Sequence, residues 1–313
     1  MDATPSVRLP EGALTGIPAR PPAPMQVGGR PFDWGTRTFV MAVINVTPDS
    51  FSGDGLLAAG ASAAVGDPLE RAVARARAAV AEGADLLDIG GESTRPGHAP
   101  VAEADEIERV APVVRAIRAA LPDVPLSVDT TKRQVAEAAV DAGADLINDV
   151  WGVGPSDDLA RLAAERGVPL VVMHNRAEPR YRSVVAEVSA DLARAVERAV
   201  AAGVEWERLI VDPGIGFGKS AEQNLELLRE LAVLTRLGRP LLIGTSRKST
   251  IGKVLDLPAE QRLEGTLATT ALAVAAGADM LRVHDVAANV RAARMADAIV
   301  RGGWREPATG GER

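Results

Sequence analysis

Short apolar runs alternate with longer amphipathic stretches along most of the chain. Runs such as "FVMAVIN" at 39–45 and "VPLVVMH" at 168–174 are continuously apolar and rich in β-branched residues, which is typical of strands covered on both faces. Stretches such as "PLERAVARARAAVAEG" place apolar residues at helical spacing. The pattern therefore predicts strands and helices in alternation.

Eight apolar runs share this character, and helical stretches separate most of them. The runs lie at 39–45, 85–90, 124–129, 145–149, 168–174, 208–214, 240–246 and 279–285. Eight strand and helix units within about 270 residues match the size of one α/β domain, a (β/α)8 TIM barrel. A doubly wound open sheet is the structural alternative, because periodicity does not show whether a sheet closes.

A short repeat supports this organisation. The segments "GADLLDIG" at 83, "GADLINDV" at 143 and "GADMLRVHD" at 277 each place a Gly between a helical stretch and a strand. Glycine accepts the positive φ that commonly ends a helix. We therefore expect each of these glycines to close a helix.

Both ends of the chain lack such periodicity. Residues 1–35 contain "RLPEGALTGIPARPPAP", a Pro- and Gly-rich composition that predicts a flexible, disordered N-terminal arm. The segment "REPATGGER" predicts a flexible tail over 304–313. The predicted catalytic barrel domain is 36–303.

Composition excludes several classes of function. The formal net charge is -7, with both signs scattered along the helical stretches, so there is no basic stripe for nucleic acid. No apolar run approaches the roughly 18 residues that a membrane span needs. The chain contains 0 Cys, which excludes disulfides and thiolate metal sites, and no secretion signal is evident. We expect a cytoplasmic protein without nucleic-acid or membrane partners.

Polar residues close every predicted strand. They are Asn45, Asp88, Asp129, Asn148, His174, Asp212, Lys248, Arg282 and His284. One polar residue after a strand is often only a helix cap or a loop anchor. In a barrel, however, the C-terminal ends of all strands meet at one rim, where active sites lie. Their convergence predicts a ligand site.

Two motifs do not lead to the sites that they resemble. "DPGIGFGKS" at 212–220 looks like a phosphate-binding loop, but Pro213 stands five residues before Gly218 where that motif needs Gly. We expect a flexible loop whose backbone approaches a ligand, with Asp212 at its base. The histidines are separate and lack helical spacing, which disfavours a structural zinc site.

The rim residues suggest two kinds of recognition. Asp129, Asp212 and Asn148 suit a planar heterocycle with amide and amino edges, because carboxylates accept from paired N–H donors. Arg282 and His284, together with Arg95 and Asn45, suit a phosphate or pyrophosphate, for which the loop after the eighth strand is a usual place in this fold. Lys248 is either a Schiff-base nucleophile or a hydrogen-bond donor to substrate.

Seven motifs occur in an order that resembles the dihydropteroate synthase family of folate biosynthesis. They are "INVTPDSFS", "DIGGESTRPG", "SVDTTK", "INDV", "DPGIGFGK", "GTSRKS" and "RVHDV", and the resemblance runs from about residue 38 to 301. It implies a transferase that joins 4-aminobenzoate to the pterin carbon of a 7,8-dihydropterin-6-ylmethyl pyrophosphate. The products are 7,8-dihydropteroate and pyrophosphate, and Mg²⁺ assists.

The resemblance also implies roles for individual residues. The pterin contacts fall on Asp129, Asn148, Asp212 and Lys248, with Arg282 stacking on the ring. The pyrophosphate contacts fall on Asn45, Arg95, Arg282 and His284, with Asn45 as the Mg²⁺ ligand. The residues that match the aminobenzoate pocket are Phe51, Thr94, Pro96, Phe217 and Ser249.

The implied mechanism is dissociative. Pyrophosphate leaves first, Asp129 and Asp212 stabilise the pterin cation, and the aromatic amine attacks it, with Lys248, Arg282 and His284 also in the catalytic set. The resemblance further implies a homodimer and sensitivity to sulfonamides, which resemble aminobenzoate. Three alternatives stay open: a non-catalytic pterin-binding paralogue, a pterin-dependent methyltransferase domain, and a barrel that acts on an unrelated phosphorylated metabolite.

Overall fold

Eight parallel strands form the centre of the structure. The computed structural model describes residues 21–46, 67–92, 100–152, 154, 156–302 and 304. After a short hairpin of β1 (Met25–Val27) and β2 (Arg30–Phe32), the central strands are β3 (Phe39–Asn45), β4 (Leu86–Gly90), β5 (Leu126–Asp129), β6 (Leu146–Asp149), β7 (Leu170–Met173), β8 (Leu209–Asp212), β9 (Leu242–Ile243) and β10 (Met280–Val283). Each lies within the corresponding apolar run of the sequence.

The sheet closes on itself. Its neighbours run β8-β7-β6-β5-β4-β3-β10-β9, and all are parallel. The two ends of this order meet through a parallel bridge between Val211 and Leu241, where the Val211 amide donates to Pro240 O at 2.9 Å. The TIM barrel prediction is therefore confirmed, and the open-sheet alternative is wrong.

Helices cover the outside of the barrel. In chain order they are α1 (Pro68–Ala81), α2 (Glu103–Ala120), α3 (Arg133–Asp141), α4 (Asp158–Arg166), α5 (Val184–Ala201), α6 (Ala221–Arg229), α7 (Ser249–Leu255), α8 (Leu263–Ala275) and α9 (Val286–Val300), with 3-10 turns at Trp206–Arg208, Leu231–Leu237 and Ala259–Gln261. Local sequence signals start some of them. The side chain of Asp67 caps α1 ahead of Pro68, and Ser220 and Gln223 form a capping box on α6.

The glycine of each "GAD" repeat ends a helix, as predicted. Gly83, Gly143 and Gly277 have φ values of 102°, 113° and 96°, a region that side chains with a Cβ rarely adopt. The backbone turns there and enters the next strand. The repeat is thus a helix stop.

The aspartate of each repeat has a second task, at the lower end of the barrel. Asp85 accepts from the Val40 amide of β3 at 2.8 Å, and Asp145 accepts from the Leu126 amide of β5 at 2.9 Å. Likewise Asp279, just before β10, accepts from the Leu241 amide at 3.0 Å. Each carboxylate therefore ties the start of its own strand to the neighbouring strand.

Side chains inside the barrel change from apolar to polar along the strands. The lower layer packs into one buried cluster that includes Met41, Leu86, Leu146, Val171, Ile210, Leu242 and Met280. Alternate residues on the same strands, such as Leu87 and Ile147, face the helices in a second, larger core. Because side chains alternate in a strand, the next inward positions above the apolar layer include Asp88, Asn148 and Arg282.

The hairpin of β1 and β2 corrects the predicted arm of residues 1–35. Met25, Val27, Phe32 and Trp34 are buried against the lower apolar layer of the barrel, and Phe32 lies 4.6 Å from Phe39 between ring centroids. The prediction of a flexible segment is therefore wrong for this hairpin, because its alternate apolar residues close the bottom of the barrel. Residues 1–20 lie outside the described residues, as does most of the predicted tail.

No helix in the described part of the chain is long and apolar enough to cross a membrane. The cytoplasmic location stays a prediction.

Candidate active site

Five of the predicted rim residues meet at the upper end of the barrel interior. Asp129 is 5% exposed, Asn148 2% and Asp212 5%, while Arg282 and Lys248 are half-buried. Asp129 and Asn148 are register partners on β5 and β6. The barrel thus brings together residues that are far apart in sequence.

Arg282 links this group through two ion pairs. Its Nε donates to Asp88 Oδ2 at 2.6 Å, and its Nη2 donates to Asp129 Oδ2 at 2.5 Å. Asp88 also accepts from Asn148 Nδ2 at 3.1 Å. Oδ1 of Asp129 and Oδ1 of Asp88 are buried and have no hydrogen-bond partner among the described residues. These oxygens can accept from a ligand.

Burial shifts the charges of the site towards neutral forms. It raises the pKa of Asp129 to about 7, although the Arg282 cation opposes this shift. It also raises the pKa of Asp212, which Lys248 opposes. Desolvation lowers the pKa of Lys248 to about 8, against the attraction of Asp212. Acids and a base with shifted pKa values in one place are typical of active sites.

A glycine-rich loop at 213–218 forms the wall next to Lys248. The Lys248 ammonium donates to Ile215 O and lies 4.4 Å from the centroid of the Phe217 ring. The Gly214 amide donates to Asp212 Oδ1 at 2.7 Å. Gly216 has a φ of 84°, and a Cβ there would lie 2.8 Å from Lys248 Cδ. The predicted approach of this backbone to a ligand stays a prediction, whereas the predicted flexibility does not match the hydrogen bonds that hold the loop.

His284 lies at the start of the loop after β10. Its Nδ1 is 3.0 Å from Ser246 Oγ, and its backbone amide donates to the same oxygen at 3.1 Å. The Arg75 guanidinium donates to His284 O at 2.7 Å. Ser246 thus fixes the imidazole two residues beyond Arg282.

His174 has a different place from the other predicted strand-end residues. It is completely buried, with Nε2 3.1 Å from Asp191 Oδ2 and Nδ1 3.0 Å from Lys219 Nζ. Burial lowers the pKa of His174 to about 4. Its ring is therefore neutral and faces Lys219 rather than the Arg282 group.

The remaining predicted residues divide into two sets. Asn45 is half-buried at the end of β3, where it pairs with Gly90 of β4, and Ser249 is exposed at the start of α7. The predictions for Phe51, Thr94, Arg95 and Pro96 lie outside the described residues. The individual roles of all these residues stay predictions.

Sequence reasoning left three contributors without a role. Strand-end polarity identifies Asp88 as a rim residue, but it does not predict the ion pair with Arg282. Ser127 is a buried hydroxyl without a partner among the described residues, and its inward position follows from Asp129 two residues later in "SVD". Lys219 lies in the segment "DPGIGFGKS", which resembles a phosphate-binding loop. A period-two count along each strand would have found Ser127, but not the contacts of Lys219.

Comparison with known proteins identifies the family. A family profile described as "Pterin binding enzyme" matches residues 41–284. The dihydropteroate synthase of Clostridium beijerinckii is 46% identical over 278 residues, which is 88% of this chain and 100% of the relative. The chain belongs to the dihydropteroate synthase family. The Bacillus subtilis synthase is also 46% identical, over 85% of this chain and 90% of its own length.

Solved synthases share the fold. The Xanthomonas albilineans synthase with 4-aminobenzoic acid has a TM-score of 0.81 and 43% identity, covering 89% of this chain and 98% of its own. A Clostridium difficile synthase in the presence of pteroic acid has a TM-score of 0.80 and 43% identity, covering 86% and 99%. The chain is therefore an enzyme of the transferase class, with the fold and the function of a dihydropteroate synthase.

Removing the cation beside Asp129 tests the electrostatics of this synthase. In Arg282→Gln we expect the pKa of Asp129 to rise above its value of about 7, because a neighbouring cation favours the ionised carboxylate. Carboxyl-carbon NMR titration measures it. Arg77→Gln, at an exposed position on α1, is the matched control and leaves that pKa unchanged. A pKa that stays at about 7 in Arg282→Gln contradicts the pairing.

Proposed function

We propose that the upper rim of the barrel joins 4-aminobenzoate to the methylene carbon of a 7,8-dihydropterin pyrophosphate. The observation that carries this proposal is the buried group of Asp129, Asn148, Asp212 and Lys248, which shares one rim with Arg282 and His284. It combines acceptors for a heterocycle with cations for a leaving group. The relative from Xanthomonas albilineans was solved with 7,8-dihydropteroate, which supports the same chemistry here.

The pterin ring is recognised by the buried carboxylates. Asp129 retains a buried oxygen without a partner among the described residues, and carboxylates accept well from paired N–H donors. Asn148 adds an amide, Asp212 a second acceptor, and Lys248 a donor. In this proposal Arg282 stacks on the ring, and its Nε bond to Asp88 holds the guanidinium at the centre of the barrel. Lys248 serves as a hydrogen-bond donor rather than a nucleophile. Its ammonium donates to Ile215 O, and the Asp212 carboxylate favours its protonated form.

Pyrophosphate departs towards the cationic side of the rim. Arg282 and His284 are two residues apart at the end of β10, and we assign Arg95 to the same set. Fixed donors that face a developing negative charge are among the strongest sources of catalysis. These side chains stabilise the leaving group, while Asp129 and Asp212 stabilise the cation that remains on the pterin.

Asn45 is the proposed protein ligand of Mg²⁺. Its carboxamide oxygen is a hard ligand at the same rim, and the described residues hold no group of three acidic or histidine ligands. Mg²⁺ prefers oxygen ligands, so Asn45 would hold the ion through its carboxamide oxygen. When bound, the ion neutralises charge on the pyrophosphate.

Two described residues contribute to the proposed aminobenzoate pocket. Phe217 offers a ring beside Lys248, and Ser249 is exposed at the start of α7. Phe51, Thr94 and Pro96 complete the assignment. The amine of this substrate needs no protein nucleophile, because it attacks the pterin cation directly. When water is excluded from the site, the amine rather than water attacks the pterin cation.

Loss of Asp212 charge tests the proposed reaction. In Asp212→Asn we expect pyrophosphate release with 4-aminobenzoate and Mg²⁺ to slow by about 10² to 10³, the usual effect of removing one electrostatic contact to a transition state. The assay follows release from the pterin pyrophosphate with and without the amine. Asp123→Asn, at an exposed position, is the control and keeps full activity.

Pyrophosphate release, pterin binding and methyl transfer together separate the alternatives. Release that requires the amine supports the synthase. Tight pterin binding without release in the wild type would favour a non-catalytic paralogue. Methyl transfer from a methylated pterin would favour the methyltransferase alternative, for which Arg282 and His284 have no evident use.

Sulfonamides are proposed inhibitors of this chain. They resemble aminobenzoate, and the Yersinia pestis synthase was solved as a sulfonamide drug complex. We expect a sulfonamide to raise the apparent KM for 4-aminobenzoate and leave kcat unchanged, because the two compete for the pocket at Phe217 and Ser249. The measurement is the initial rate across both concentrations. Unchanged turnover at saturating drug and low amine would contradict the proposal.

We also propose a homodimer formed through α8 and α9. These helices pack against each other and expose Leu272 (67%), Met295 (63%) and Ile299 (70%). The sequence of α8, "LEGTLATTALAVA", is apolar on nearly all sides, which is typical of a helix with a covered outer face. A second copy of the chain would cover this face.

Charge in this face is expected to separate the dimer. Leu272→Lys with Met295→Lys places two cations in the apolar patch, and light scattering then reports the mass of a monomer. Val200→Lys, at 41% exposure on α5, is the control and leaves the mass of the wild type. A wild-type protein that is monomeric at every protein concentration would contradict the dimer proposal.

A further inference from the structure

Lys219 and His174 form a buried pair that the proposed chemistry does not use. The Lys219 ammonium donates to Gly214 O and Phe217 O, both at 3.0 Å, and lies 3.0 Å from His174 Nδ1. These three contacts use all three N–H donors of an ammonium. Both carbonyls belong to the loop at 213–218, so one side chain crosslinks that loop to the end of β7.

The chain of contacts continues into helix α5. Because His174 Nδ1 accepts from Lys219, its Nε2 carries the proton and donates to Asp191 Oδ2 at 3.1 Å. Asp191 also accepts from Arg176 Nη2 at 2.7 Å and pairs with Arg194. The neutral imidazole is thus held between a cation and a carboxylate.

Other contacts leave the loop little freedom. Tyr181 Oη donates to Gly218 O at 3.0 Å, and the Gly216 amide donates to Asn224 Oδ1 at 2.7 Å. A Cβ on Gly214 would lie 1.9 Å from His174 O, so the backbone runs directly against His174. These contacts hold the loop against the end of β7.

That position decides where two site residues lie. Ile215 O accepts from Lys248, and the Phe217 ring faces the same ammonium at 4.4 Å. Neither Lys219 nor His174 reaches the Arg282 group through any described contact. Their hydrogen bonds reach the site only through the loop, while the Lys219 charge also acts on Asp212 and Lys248 directly.

We propose that Lys219, His174 and Asp191 are positioning residues that hold the loop at 213–218 and thereby place Lys248 and Phe217 against the substrates. This inference deepens the proposed function and rests on the proposed roles of Lys248 and Phe217. Its readout is the coupling between Lys219 and Lys248, which a general loss of stability does not produce.

A double-mutant cycle measures this coupling. Calorimetry gives the Kd of pteroic acid for the wild type, Lys219→Met, Lys248→Met and the double variant. We expect Lys219→Met to weaken binding about tenfold in the wild-type background and less than about twofold when Lys248 is already gone, since residues in one network are not additive. Lys253→Met, at an exposed position on α7, is the control and leaves the Kd unchanged.

The pH dependence provides a second readout. Burial lowers the pKa of Lys219 to about 7. The carboxylates of Asp212 and Asp191 oppose this shift, whereas the cations Lys248 and Arg176 add to it. The adjoining His174 is neutral. As pH rises through about 7, Lys219 loses a proton and one donor, whereas an arginine stays charged. We therefore expect the Kd of the wild type to rise between pH 6 and 8.5 relative to that of Lys219→Arg. Asp129 and Lys248 titrate in both proteins, so the comparison with Lys219→Arg separates the loss of the Lys219 proton from their common contribution to the Kd.

The outcomes are distinguishable. Equal weakening by Lys219→Met in both backgrounds, or no weakening at all, overturns the positioning role while the synthase function stands. If Lys219→Met melts far below the wild type, His174→Gln replaces it in the cycle, with the same expectation. A wild type that binds no pteroic acid overturns the proposed function and this inference together.

Discussion

The charge of Arg282 inside the barrel is the constraint around which the upper half of the structure is arranged. A buried guanidinium is costly unless opposite charges and hydrogen bonds compensate it. Asp88 on β4 and Asp129 on β5 provide that compensation from across the barrel. A shift of one residue in any of the three strands would turn one partner to the outer face. The ion pairs therefore require the same register that the hydrophobic layers specify.

This arrangement leaves the site polar and incompletely paired among the described residues. Burial pushes Asp129 and Asp212 towards protonation and Lys248 towards the neutral form, while the neighbouring opposite charges resist. A ligand that brings N–H donors and a negative leaving group completes both halves of this balance.

The sequence predicts the barrel well because its signals are local. Apolar runs, helical spacing and the glycines at 83, 143 and 277 each depend on a few neighbouring residues, and the strands lie where those signals occur. Strand-end polarity also located Asp129, Asn148, Asp212 and Arg282. Closure could not be predicted from periodicity, because it depends on the bridge between Val211 and Leu241.

What the sequence missed depends on contacts between distant segments. The Pro- and Gly-rich surroundings concealed a hairpin whose value lies in covering Met41 and Met280. The end of its strand predicts His174 at the rim, yet its partners Lys219 and Asp191 come from a later loop and a helix. Such partners are set by packing and leave no spacing signal in the chain.

The aspartates of the "GAD" repeat give the two ends of the barrel separate duties. Asp85, Asp145 and Asp279 fasten neighbouring strands together at the end remote from the substrates. These three hydrogen bonds from backbone amides to aspartate carboxylates secure the register without any residue of the site. Side chains and loops at the other end can therefore change to accept a new ligand without loosening the barrel beneath them.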